Sequence, residues 1–130
     1  MTVILCVDDD FGMTFFGKRQ SSDKKLTERL LQNENLIISP FSAKLFEGQN
    51  VKISENPLGQ ADENSVCFIE NENPADYIEK ADKIILYKWN RRYPSDKKLD
   101  RALLENFRLS GTEEFEGNSH EKITQETYIR

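Results

Sequence analysis

Apolar residues fall in short blocks separated by polar punctuation, and the blocks alternate between strand and helix spacing. Thr2 to Val7 is β-branched and continuously apolar, which predicts a strand buried on both faces. Asp8-Asp9-Asp10 ends it as a solvated strand end. Asp23 to Gln32 places Leu26, Leu30 and Leu31 on one face, which predicts a helix capped by Ser22. Leu36-Ile37-Ile38 predicts a short strand stopped by Ser39-Pro40. Ser42 to Phe46 predicts a helical turn closed by Gly48. Val51 to Ser54 predicts a further strand ended by Asn56-Pro57, and Leu58 to Asn64 a polar loop.

The second half repeats the alternation. Ser65 to Ile69 predicts another apolar strand. Pro74 to Lys80 predicts a helix with proline in its first turn, and Lys83 to Trp89 a strand of seven residues. Arg91 to Lys98 reads as a charged loop. Phe107 to Phe115 and Ile123 to Ile129 predict two late antiparallel strands joined through Gly117-Asn118-Ser119. The order implies a single domain over residues 1–130, an α/β fold with a central mixed sheet flanked by helices.

Composition narrows the partners. The chain is 37% hydrophobic and 32% charged, with a formal charge of −5 and a pI near 5.0. That acidity argues against nucleic acid or an anionic membrane as partner. No apolar run reaches the ~20 residues of a membrane span, and no signal-peptide pattern opens the chain. Cys6 and Cys67 lie in apolar strands, where two buried, reduced thiols are expected in a cytoplasmic protein. One histidine and two scattered cysteines do not supply a metal site. His120 then reads as a hairpin residue with no triad or metal set around it.

Several segments resemble the dihydrofolate reductase family. Phe11-Gly12-Met13 followed by Asp23 at a helix start is similar to that family's active-site loop and pterin-binding acid. Leu36-Ile37-Ile38-Ser39 is similar to the strand leading into its cofactor-binding helix. Ala81-Asp82-Lys83-Ile84-Ile85-Leu86-Tyr87 is similar to the strand after its last helix. Asn118-Ser119-His120 and the terminal strand match its closing hairpin. The resemblance runs nearly end to end. It implies a dihydrofolate reductase-like fold and a ligand pocket lined by Leu5, Met13, Lys18, Arg19, Asp23, Thr27 and Tyr87, with Asp23 the catalytic acid if the chain is an enzyme.

The cofactor half departs from the family pattern. A Gly-Gly turn follows the strand equivalent to Val66–Ile69 in the family, whereas this chain reads Glu70-Asn71-Glu72-Asn73. Side chains and negative charge at such a turn oppose a phosphate. Of the hydroxyl and basic residues that grip the cofactor, only Ser42 is retained in kind. The expectation is a small-molecule-binding or regulatory module for a nitrogen heterocycle, with no NADPH and no reductase activity. An NADPH-dependent reductase with an altered cofactor site is the alternative. A receiver-like signalling domain, suggested by Ile4–Asp10, is a third reading that lacks a phospho-accepting aspartate.

Overall fold

The computed structural model describes residues 1–130. Seven strands form the main sheet in the order β5-β4-β6-β1-β7-β10-β9. These are β1 (Thr2–Val7), β4 (Leu36–Ile38), β5 (Lys52–Ile53), β6 (Val66–Phe68), β7 (Lys83–Lys88), β9 (Arg108–Phe115) and β10 (Ile123–Ile129). β1 pairs in parallel with both β6 and β7, Val3 lying opposite Cys67 and Ile84. β10 pairs antiparallel with β7 and with β9. The expected mixed sheet is therefore present, with β1 inside it and β6 beside it. An all-parallel doubly-wound receiver sheet, with order 2-1-3-4-5, is a different topology.

Strand alternation divides the core into two layers. Val3, Leu5 and Val7 join Cys67, Ile84 and Leu86 on one face. Ile4 faces the other side, with Phe68, Tyr87 and Trp89, and there meets Leu26 and Leu30 of helix α1 (Lys24–Leu30). A period of 2.0 in β1 thus separates neighbours that sequence proximity groups together. Leu5 packs away from α1, whereas Cys6, like Ile4, lies on the helix side. Cys6 and Cys67 are both free. They stand on adjacent strands but on opposite faces of the sheet, not side by side.

Local structure departs from the sequence reading at several points. Asp23, not Ser22, caps α1: its backbone is extended (φ −148°, ψ 130°) and its carboxylate accepts from Lys25 and Leu26 N–H. Pro40–Phe46 and Pro74–Lys80 are 3-10 helices, and Pro57–Gln60 forms a one-turn helix, α2, inside the expected polar loop. Asn56 caps α2 by accepting from Gly59 N–H.

The loop after β1 is also more ordered than its sequence suggests. Gly12–Phe15 (β2) and Lys18–Arg19 (β3) make a hairpin, joined on its other edge by Lys97–Lys98 (β8) from the expected charged loop. Its two-residue turn puts Phe16 at φ 50° and Gly17 at φ 71°. Both angles are positive, as a tight hairpin turn with matching strand twist requires. No helix is long and apolar enough to cross a membrane.

Candidate functional site

The carboxyl ends of parallel strands β1, β6 and β7 bring Cys6, Glu70 and Trp89 together. Ligands in open α/β sheets bind outside these ends. The β2–β3 hairpin covers the site with Met13, Arg19 and Gln20, and the residues before α1 close it with Ser21 and Ser22. Two small voids of about 10 Å³ each lie here; Cys6, Ser21, Glu70 and Trp89 border both. The void beside α1 shares Ser22, Asp23, Thr27 and Leu45 as a wall with an open cleft of about 450 Å³. That cleft runs between α1 and the Pro40–Phe46 helix, with Lys24, Glu28, Lys44 and Glu47 at its lips.

Asp23 sits at the head of this cleft, and its side chain is fully excluded from solvent. Its oxygens are taken by the protein. Oδ1 accepts from Lys25 N–H at 2.9 Å, and the Asn118 N–H reaches both oxygens at 3.0 and 2.9 Å. Oδ2 also accepts from Ser119 N–H at 2.9 Å, Ser119 Oγ at 3.2 Å and His120 Nδ1 at 3.0 Å. Burial alone would raise its pKa. The Asn118 N–H, the His120 ring and the Ser119 and Lys25 N–H groups outweigh burial and hold the carboxyl well below the usual carboxylate range.

The loop carrying these donors is shaped for the purpose. Gly117 N–H bonds to His120 O at 3.0 Å, folding the loop over the carboxylate. A Cβ at Gly117 would stand 2.6 Å from Asp23 Oδ2 and 2.8 Å from His120 O, so no side chain fits there.

His120 extends the network. Its Nε2 lies 3.1 Å from Ser21 Oγ and 3.1 Å from the Tyr93 hydroxyl, and that hydroxyl is 3.4 Å from Ser21 Oγ. The ring stacks on Trp89 with centroids 4.6 Å apart and planes at 25°. The expectation of a partnerless hairpin histidine is corrected: His120 is 3% exposed and has an acid on one nitrogen and two hydroxyls on the other. With Nδ1–H donating to Asp23, Nε2 is an acceptor for a hydroxyl proton.

A second cluster occupies the end of β6. Arg19 forms two parallel bonds to Glu70, Nε to Oε1 at 2.9 Å and Nη2 to Oε2 at 2.8 Å, and it also donates to Phe41 O at 3.1 Å. Ser42 Oγ donates to Glu70 Oε2 at 2.6 Å. The Glu70 bonds raise the Arg19 pKa further, against the opposing effect of burial. The retained serine therefore serves an internal carboxylate. Cys6 lies nearby, and burial first and the Glu70 charge second push its thiol well above its usual range.

A third knot lies behind the hairpin. Asp8 is 2% exposed, and its carboxylate accepts from Gly12, Asp10 and Tyr93 N–H and from the Gln20 side chain. Burial opposes ionisation, but the four bonds lower its pKa. Asp8 is thus a buried scaffold for the hairpin, where the sequence suggested a solvated strand end.

The sequence-derived site residues scatter around this arrangement. Met13, Arg19, Asp23 and Thr27 border the voids or the cleft. Thr27 donates its hydroxyl to Asp23 O at 3.2 Å. Lys18 is exposed on β3. Leu5 is buried on the far face of the sheet. Tyr87 is buried edge-on against Phe115 at 6.2 Å, on the α1 face of the sheet. Ser21, Glu70, Trp89, Tyr93 and His120 were not assigned to the site from sequence. The Asp23 and His120 segments are 97 residues apart, and only the hairpin fold brings them together.

No family model and no curated protein matches the chain. Among solved structures, the chain is similar to dihydrofolate reductase from Enterococcus faecalis complexed with NADP(H) and RAB-propyl. The two share 15% identity at a TM-score of 0.62, over 99% of this chain and 95% of that one. At that identity the likeness establishes a dihydrofolate reductase-like fold.

Proposed function

We propose that this chain is a small-molecule-binding protein built on the dihydrofolate reductase-like fold, and that it does not transfer hydride from a nicotinamide cofactor. The Arg19–Glu70–Ser42 cluster carries this reading. Where the related fold offers bare backbone amides to a dinucleotide, this chain presents a carboxylate held in place by two bonds from Arg19 and one from Ser42. A phosphate entering there would meet a negative charge and would have to break an internal ion pair. Nicotinamide dinucleotides do not fit these residues.

The ligand reading rests on the cleft between α1 and Pro40–Phe46. Its volume of about 450 Å³ falls in the range of small-molecule sites, roughly 300–1,000 Å³. A small nitrogen heterocycle is the ligand class that suits it. The Thr27 side chain and the carboxylates of Glu28 and Glu47 border the space, and Lys24 and Lys44 would meet any acidic substituent. Asp23 contributes by fixing the shape of the cleft head, because its acceptors are already satisfied. In the sequence reading Asp23 was itself the anchor.

Calorimetry and thermal shift against pterins, purines, pyrimidines and NADPH test this. A heterocycle should raise the melting temperature, and Leu45→Trp should abolish the shift by filling the cleft. NADPH should give no heat. Micromolar NADPH binding with hydride transfer to a dihydropterin would replace this reading with the reductase one.

A further inference from the structure

The chain Asp23–His120–Ser21 has the bonding order of a nucleophile, a base and a group that orients the base. Asp23 Oδ2 lies 3.0 Å from His120 Nδ1, and His120 Nε2 lies 3.1 Å from Ser21 Oγ. Such a constellation is recognised by geometry and roles, whatever the fold or chain order. We propose that Ser21 is an activated nucleophile and that the protein cleaves small esters by acyl transfer through it.

Five observations converge on that assignment. The Asp23 carboxylate stays ionised under its six donors, so it fixes the Nδ1–H tautomer and leaves Nε2 free to take a proton. The stacked Trp89 ring holds the imidazole plane, which a hinge-like histidine at a surface turn would lack. Ser21 is half-buried and borders both small voids, one of which shares its wall with the open cleft. The Tyr93 hydroxyl, 3.4 Å from Ser21 Oγ and 3.1 Å from His120 Nε2, bridges the two groups and holds the serine in register with the imidazole. Cys6, the other nucleophile at this site, is kept as a neutral thiol by burial and by Glu70, which removes it as a competitor.

The reaction balances in two halves. Ser21 Oγ–H gives its proton to His120 Nε2 while Oγ bonds to the acyl carbon. The acyl carbon–oxygen bond to the alcohol then breaks, and the departing oxygen takes the proton from Nε2. In the second half, water gives a proton to Nε2 and its oxygen bonds to the acyl carbon. The bond to Oγ breaks, and Ser21 recovers the proton. During each half the imidazolium faces Asp23. The voids of about 10 Å³ at Ser21 are each about the size of one water, so an acyl group reaches Oγ only by displacing the side chains that border them, and the smallest acyl groups, acetyl-sized esters, are the substrate class, with the alcohol portion in the cleft. This rests on the cleft being the ligand site proposed above.

Two probes test it on the whole protein: a fluorophosphonate, read by peptide mass spectrometry, and p-nitrophenyl acetate hydrolysis. The expected result is one phosphonyl adduct, on Ser21, absent in Ser21→Ala. His120→Gln should lower both labelling and hydrolysis by on the order of 10² or more. Tyr93→Phe, which keeps the ring, should slow turnover with little change in KM and guards against misfolding of the histidine variant. No adduct on Ser21, or labelling that is unchanged in both His120→Gln and Tyr93→Phe, would overturn the assignment. Heterocycle binding without an adduct sinks this inference alone; an adduct without heterocycle binding sinks the ligand reading alone.

Discussion

Asp23 and His120 are joined by a 3.0 Å bond between Oδ2 and Nδ1, and neither side chain is more than 2% exposed. This bond ties the start of α1 to the β9–β10 hairpin loop across the end of the sheet. It makes the cleft head a closed, hydrogen-bonded unit. Several consequences are measurable.

Asp23→Asn keeps the shape but replaces one acceptor oxygen with a donor. An amide nitrogen would then face the N–H groups of Ser119 and His120 or that of Lys25. Buried donors left without an acceptor cost about 1–3 kcal/mol. Urea unfolding of the variant should show a loss of at least that size. An ordinary exposed helix cap would lose only a few tenths of a kcal/mol in the same change.

Gly117→Ala should be costly although the glycine has no special backbone angle. The added methyl meets Asp23 Oδ2 at 2.6 Å and His120 O at 2.8 Å, so the loop must move. Overpacking of this kind costs typically about 1–3 kcal/mol. The same urea titration should show it, with His120 ring resonances displaced. Gly111, with nothing within 4 Å of an added Cβ, serves as the control.

Acid should unfold the protein through Asp23 and Asp8. Both carboxyls have depressed folded pKa values, while the unfolded chain titrates near the ordinary value of about 3.9. The unfolded state therefore binds more protons as pH falls below that value. Their contribution to stability is fully present above about pH 5 and is lost progressively as pH falls through the folded values. Urea midpoints measured from pH 6 to 2.5 should stay level and then fall. Asp23→Asn should flatten that fall.

Arg19 and Glu70 should be energetically coupled. The pair is bidentate, and the side chains are 27% and 9% exposed. A double-mutant cycle with Arg19→Ala and Glu70→Ala should give a coupling of about 1–3 kcal/mol, above the 1 kcal/mol ceiling of exposed pairs. A coupling near zero would show that the β6 end is not pre-occupied and would reopen that position to a phosphate.

The strands were legible because their signals are local. Thr2–Val7 and Ile123–Ile129 carry unbroken or alternating apolar runs, and the structure places them with those bounds. The β2–β3 hairpin was not legible. Its four-residue and two-residue strands are too short for periodicity, and its turn uses Phe16 where Asn or Asp is the usual residue. The site was half legible for a different reason. A carboxylate at a helix start is visible in sequence, but its satisfaction by Asn118, Ser119 and His120 is a tertiary event. Leu5 was expected in the pocket lining, but adjacent residues in a strand face opposite layers, and it is Ile4 and Cys6, not Leu5, that face the α1 layer. Asn118-Ser119-His120 carried the missing signal: a loop of donors ending in an imidazole, poised to meet an anion.

The most direct test is the protonation of the His120 ring, followed by long-range proton–nitrogen NMR at neutral pH. The bond to Asp23 predicts a proton on Nδ1, protected from exchange and shifted downfield, with Nε2 unprotonated and sensitive to Ser21→Ala. The Nδ1 proton should lose its protection in Asp23→Asn. A ring protonated on Nε2, or an Nδ1 proton that exchanges freely with water, would contradict the Asp23–His120–Ser21 arrangement on which this reading of the cleft depends.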